Sequence, residues 1–228
     1  MQDTVAIVQA RMGSTRLPGK VMKDLLGKPM LQHMMERLSM AEAIDKIVIA
    51  TSEREENRVV VELSKKLGIE YFIGSEDDVL DRYMKAAREF NASTVVRIGA
   101  DEPLVDPGIV DLVIAKHFES EADLTTTMFR RTFPKGVDLE VMPIEVLERM
   151  NRLAKLPEDR EHVTLYAYNN PDVFRINNVE AEGKLRRPEI TLTVDTQEDF
   201  NRVEKIFKNL YTKNSAFNTE DVIDFLDS

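Results

Sequence analysis

A chain of 228 residues with 43% hydrophobic and 32% charged residues can bury one substantial core, and this balance excludes a disordered polymer. Its formal net charge of −10 disfavours a broad nucleic-acid footprint, although a local cationic loop can still hold a small anion. There is no cysteine, which removes disulfides, thiolate nucleophiles and cysteine-ligated zinc. No signal-like start or apolar run of the ~18 residues needed for a membrane span is visible, so a cytoplasmic protein without membrane contact is expected.

Thr4 to Ala10 is a short apolar run that empties into a Gly/Pro-rich loop, the pattern of a buried parallel strand. Pro29 to Ala41 has helical periodicity through Leu31, Met34, Met35 and Leu38. Lys46 to Thr51 reads as a second strand, and Glu55 to Leu67 as a helix closed by Gly68. Ile69 to Ile73, Asp78 to Phe90, Thr94 to Ile98 and Pro107 to Phe118 continue the alternation of strand and helix. Such alternation predicts an α/β fold with a mostly parallel sheet and helices on both faces.

Beyond Ala122 the rhythm changes. Strands are expected at Asp123 to Phe129 and Val137 to Met142, around a turn at Pro134-Lys135-Gly136. Helices follow at Ile144 to Ala154 and Glu158 to Asn169, then strands at Phe174 to Val179 and Ile190 to Val194. Amphipathic helices at Gln197 to Leu210 and Thr219 to Leu226 complete the chain, the second capped by Asn218 or Thr219. Residues 1–228 are thus expected to form a single domain, with an insertion at about 130–175.

The candidate chemistry begins where the first strand ends. Arg11 to Lys20 packs two glycines, two hydroxyls and three cations into ten residues. Ligands of open α/β sheets bind outside the carboxyl ends of strands, where glycines let amides approach phosphate oxygens and Arg or Lys neutralises them. The loop is not a Walker A motif: five residues rather than four separate Gly13 from Gly19, and Val21 stands where a magnesium-binding hydroxyl belongs. Asp101 follows the fourth strand at the same sheet edge and offers a hard oxygen ligand for magnesium. Asp195 follows another apolar strand and can converge with it, whereas Glu198 and Asp199 suit a helix start. Arg82 is expected to face the nucleotide. In Asp159 to Thr164, His162 serves packing or substrate contact equally well, and no second histidine supplies a metal-ligand spacing.

Together, Gln9 to Lys20, Gly27-Lys28-Pro29-Met30, Asp81-Arg82, Asp101-Glu102-Pro103, Arg160 to Thr164 and Val194-Asp195-Thr196 resemble the cytidylyltransferase family. That family includes CMP-Kdo synthetase and acylneuraminate cytidylyltransferase, and the likeness is strongest to its branch of spore-coat polysaccharide biosynthesis protein F homologues. The resemblance implies a Rossmann-like nucleotide-diphospho-sugar transferase fold, with the 130–175 insertion packing across a homodimer. It implies that Ala10, Arg11, Gly13, Ser14, Thr15, Arg16, Lys20 and Arg82 bind CTP and that Asp101 and Asp195 hold Mg2+. Arg11, Lys20, Asp101 and Asp195 would carry catalysis, and Glu161 and His162 would meet the acceptor. The implied reaction moves CMP to an acidic sugar or phosphorylated acceptor and releases pyrophosphate. The alternatives are a sugar-phosphate guanylyl- or uridylyltransferase and a non-catalytic nucleotide-binding subunit.

Overall fold

The computed structural model describes residues 3–228. Its first half is a regular alternation: β1 (Thr4–Gln9), α1 (Met30–Leu38), β4 (Lys46–Ser52), α2 (Arg58–Leu67), β5 (Glu70–Gly74), α3 (Val79–Glu89), β6 (Thr94–Gly99) and α4 (Pro107–Phe118). A small antiparallel ribbon of β2 (Asp24–Leu25) and β3 (Lys28–Pro29) lies between β1 and α1. The remainder supplies β7 (Leu124–Thr126), β8 (Glu140–Pro143), α5 (Ile144–Leu153), α6 (Pro157–Glu161), α7 (Leu165–Asn169), β9 (Ile176–Asn178), α8 (Gln197–Leu210) and α9 (Thr219–Asp227).

Seven strands form one sheet in the order β5-β4-β1-β6-β8-β7-β9. β1 pairs in parallel with β4 and β6, β4 pairs in parallel with β5, and β8 runs antiparallel to both β6 and β7. Because strand side chains alternate, β1 is apolar on both faces and feeds two cores. Ala6 and Val8 join Leu31 of α1, Val60 of α2 and Val113 of α4 on one side. Val5 and Ile7 join Leu80 and Tyr83 of α3 and Leu147 of α5 on the other. The expected mixed, mostly parallel sheet with helices on both faces is therefore present. A third apolar cluster holds Leu17, Leu25 and Met30 against Leu192, Val194 and Phe200, with Phe207 of α8. It fastens the post-β1 loop to the segment before α8, residues far apart in sequence.

The second half departs from the sequence reading in definite ways. Ile190 to Val194 is an extended segment and not a strand: it touches the Pro134–Gly136 turn through one bridge, Lys135 to Thr191, because its apolar residues pack on α8 instead of pairing. The helix expected over Glu158 to Asn169 is two helices, α6 and α7, interrupted at Val163, whose φ is 32°. The interruption buries Val163 and lets Thr164 and Tyr168 both donate to the fully buried Glu140. Strands expected at 123–129, 137–142 and 174–179 shrink to β7, β8 and β9. The 130–175 segment contributes β8 to the main sheet and α5 to one of its faces.

Candidate active site

The sheet grows from β1 in two directions, to β4 and β5 on one side and to β6 on the other. This reversal opens a crevice at the carboxyl ends of β1 and β6, where open α/β sheets bind their ligands. A cleft of about 350 Å³ lies there. It is lined by Arg11, Gly13, Ser14, Thr15, Arg16 and Lys20 of the loop, with Gln9, Val21, Ala100, Asp101, Glu161 and Asp195 around them.

The loop is held by a small set of contacts. The Met12 carbonyl accepts from the amides of Ser14 and Gly19 at 2.8 and 2.9 Å, and the Met12 amide donates to Asn57 Oδ1 at 2.7 Å. Gly19 has φ 68°, a left-handed conformation that favours glycine. Leu17 anchors the loop's centre in the third apolar cluster. Among the described residues, the amides of Gly13, Thr15 and Arg16 donate no hydrogen bond, so they are available to an anion.

Lys20 lies at the focus. Its Nζ donates to Asp195 Oδ1 at 2.9 Å and to the Val194 carbonyl at 2.7 Å, and it stands 3.5 Å from Asp101 Oδ2. Arg16 Nη2 lies 3.0 Å and Lys135 Nζ 3.9 Å from Asp195 Oδ2, so three cations surround one carboxylate. Burial pushes the Asp195 carboxyl upward, but Lys20, Arg16 and Lys135 outweigh that effect and hold it below its ordinary value. Its backbone is fixed by the helix behind it. Asp199 accepts from the amides of Asp195 and Thr196 at 3.1 and 2.9 Å, completing a capping box on α8. Asp101 is set by close approach: a Cβ on Gly99 would lie 2.4 Å from Asp101 Oδ1, so any side chain there displaces the carboxylate.

A second polar chain supports Arg11. Its Nη1 donates to Glu76 Oε1 at 2.8 Å, Glu76 also accepts from the Ser52 hydroxyl, and Ser52 accepts from Asn57 Nδ2 at 2.6 Å. Burial opposes ionisation of Glu76, yet Ser52 and Arg11 hold its carboxyl below the usual range. At the rim, Glu161 Oε1 lies 4.0 Å from Arg11 Nη2.

The residues singled out by sequence mostly converge here. Arg11, Gly13, Ser14, Thr15, Arg16, Lys20, Asp101, Asp195 and Glu161 all line the cleft. Three do not. Ala10 is buried in the core and its amide pairs with the Ala50 carbonyl. Arg82 is 1% exposed and donates to the Ser75 carbonyl, because its stem packs beneath the end of β5 rather than facing a ligand. His162 is exposed, caps α6 through its amide and takes neither a cleft nor a packing position. Sequence reasoning missed Gln9, Ser52, Asn57, Glu76 and Lys135. The available signal was a polar residue ending an apolar strand for Gln9, and the acidic run after β5 for Glu76.

The donor set can be tested against a divalent cation. Asp101 and Asp195 both reach one ammonium, so their oxygens converge on a point already suited to positive charge. Among the described residues, no group of three or more His, Asp or Glu side chains gathers to hold a metal. Two carboxylates, with the remaining positions left to water and phosphate, fit magnesium, which is bound by few protein ligands beside a nucleotide. No helix among the described residues is long and apolar enough to cross a membrane.

The chain is similar to known proteins over most of its length. A family model described as cytidylyltransferase matches residues 5–222. The chain is 36% identical over 213 residues to the spore coat polysaccharide biosynthesis protein SpsF of Bacillus subtilis, covering 91% of this chain and 88% of that one. The solved structure of a cytidylyltransferase from Leptospira borgpetersenii superposes with a TM-score of 0.94 at 30% identity, covering 100% of this chain and 94% of the other. A CMP:2-keto-3-deoxy-manno-octonic acid synthetase, solved in complex with CTP, shares the fold at a TM-score of 0.70 and 19% identity, covering 91% and 99% of the two chains.

Proposed function

The chain belongs to the cytidylyltransferase family, and from that premise we propose that its cleft transfers CMP from CTP to an acidic sugar or phosphorylated acceptor in surface polysaccharide synthesis. The observation that carries this reading is the convergence of Lys20, Asp101 and Asp195 on one point beside a loop with free amides.

In the proposed reaction an acceptor oxygen forms a bond to the α-phosphorus while the bond to pyrophosphate breaks, so no covalent enzyme intermediate is needed. Arg11, Arg16 and Lys20 offset the triphosphate charge, and the amides of Gly13, Thr15 and Arg16 receive its oxygens. Asp101 and Asp195 would hold Mg2+, which when bound supplies charge neutralisation at the phosphate oxygens. Lys20 exchanges its carboxylate partners for phosphate as the nucleotide enters. A phosphate acceptor arrives ionised, and a hydroxyl acceptor gives its proton to solvent. Glu161, on the rim, would contact the acceptor, with His162 exposed beside it.

The 130–175 segment would also mediate a homodimer. Leu153, Leu156 and Val173 expose 42%, 57% and 40% of their surface within it, and light scattering that returns a monomer mass would oppose this assignment.

The test is a pyrophosphate-release assay across four nucleoside triphosphates with magnesium and a panel of acidic sugars and phosphorylated metabolites. Release with CTP is expected. Release with GTP or UTP alone would make the enzyme a sugar-phosphate guanylyl- or uridylyltransferase, and CTP binding without release would indicate a nucleotide-binding subunit.

A further inference from the structure

Gln9 has no role in the reading above, and its position gives it one. It is the last residue of β1, and its carbonyl accepts the Ala100 amide at 3.1 Å, one residue before Asp101. Its parallel-strand partners are Ala50 and Gly99, a methyl group on one side and no side chain on the other. Neither neighbour can satisfy a carboxamide. Gln9 lines the cleft, its Oε1 is buried without a hydrogen-bond partner, and its Nε2 donates to no protein group among the described residues, so a half-turn of the amide presents either atom to a ligand. A buried polar group is normally paired, and one that ends an apolar strand at a ligand edge without a protein partner is built to take its partner from the ligand.

The charges around the cleft narrow what that partner is. Lys20, Arg16 and Lys135 crowd Asp195 at one end, which is the end for phosphate. At the other end Arg11 shares its charge with Glu76 and faces Glu161, so less of it is left for the triphosphate than at the Lys20 end. Gln9 provides a neutral donor and acceptor between them. A nucleotide whose phosphates follow Gly13 to Lys20, and whose α-phosphate meets Asp101, runs its next unit back along the root of the loop. That unit is the ribose, an uncharged diol matched to a carboxamide.

We propose that Gln9 is a specificity residue that hydrogen-bonds the ribose hydroxyls of the bound nucleotide and so selects ribonucleotides over deoxyribonucleotides. The inference rests on the assignment of this cleft to CTP. Its test is titration calorimetry with CTP, 2′-deoxy-CTP and 3′-deoxy-CTP, each with magnesium, on the wild type, Gln9→Ala and the near-isosteric Gln9→Met. Gln9 Oε1 has no protein partner, so neither variant breaks a protein hydrogen bond of that atom, and Gln9→Met leaves the volume filled.

The wild type should bind CTP about 10-fold more tightly than at least one deoxy analogue, the scale of one lost hydrogen bond. In the variants CTP should weaken by a similar factor, and the nucleotides should bind alike. Variants that keep both the wild-type CTP affinity and the wild-type discrimination would overturn the role of Gln9. A wild type that binds no CTP at all would instead overturn the assignment of the cleft, which separates the two failures.

Discussion

Two carboxylates leave the end of β6 in succession and meet opposite surroundings. Asp101 points into the cleft, is 34% exposed in its side chain and faces the Lys20 ammonium. Glu102 turns inward, is 5% exposed and accepts the Asp138 amide at 3.1 Å. Its neighbours are themselves acids. Burial first, then the Asp138 and Asp101 carboxylates, push the Glu102 carboxyl well above its ordinary value, so it resists ionisation. The Arg131 guanidinium is hydrogen-bonded to Asp138, at 2.5 and 3.0 Å, and the opposing pull of Arg97 on Glu102 is outweighed. Consecutive residues of one chemical type thus divide into a cleft group and an interior group that resists ionisation, and the division is made by the turn after β6, in which the Glu102 amide donates back to the Gly99 carbonyl.

Substitutions sharpen that contrast in descending order of effect. Asp101→Ala should lower pyrophosphate release about 1,000-fold or more while circular dichroism and melting stay near wild type, since the lost group would hold the Mg2+ that offsets phosphate charge. Near-normal release would remove Asp101 from the chemistry. Lys20→Ala should raise the KM for CTP about 10-fold or more, because one phosphate partner is gone and Asp101 and Asp195 then repel the triphosphate. An unchanged KM would break the link between Lys20 and the nucleotide.

Glu102→Gln should leave turnover within about threefold and show its effect in stability, through linkage between proton binding and folding. The unfolded chain ionises Glu102 near its ordinary value while the folded chain resists, so the wild type loses stability as pH rises from about 4.5, and the variant does not. Denaturant midpoints from pH 4 to 8 should therefore separate in favour of Gln; parallel curves would place a charged Glu102 in the interior. The smallest effect is expected at Asp199, whose carboxyl is held down to about 2: burial opposes this, and Thr196 and Arg202 outweigh it. Asp199→Ala should cost about 1 kcal/mol at neutral pH, as the loss of a capping partner does. That cost is fully present above the ordinary aspartate value and should fade as pH falls towards 2; a cost constant down to that pH would exclude the cap as its source.

The parallel half of the fold was legible because a strand covered on both faces has to be an uninterrupted apolar run, as Thr4 to Ala10 and Lys46 to Thr51 are. The loop and its two aspartates were legible for a related reason: the charged residues of the site begin where those runs stop. The second half was harder. Ile190 to Val194 carries the same apolar alternation as a strand, but its burial comes from α8, and periodicity does not say which neighbour covers a face. Val163 breaks a helical pattern to serve Glu140, a partner more than twenty residues away that no local rule reveals. Arg82 was misplaced because a guanidinium buried under a β-strand end looks, in sequence, like one aimed at phosphate. Within Asp195 to Asp199 the acids divide by position: Asp199 caps α8, while Asp195 faces the cleft.

The spacing of the central ion pairs bears on how this protein is made. Lys20 meets Asp101 and Asp195 across 81 and 175 residues of chain. A nascent chain that has emerged only as far as the turn after β6 already carries the loop and Asp101, yet it lacks Asp195, the carboxylate to which Lys20 donates at 2.9 Å. Loop closures of that length come late in folding, because their entropy must be met before the contact rewards it. Catalytic competence should therefore wait for Asp195 and the α8 helix behind it to dock, and activity recovered during refolding should lag behind the secondary structure of the parallel half.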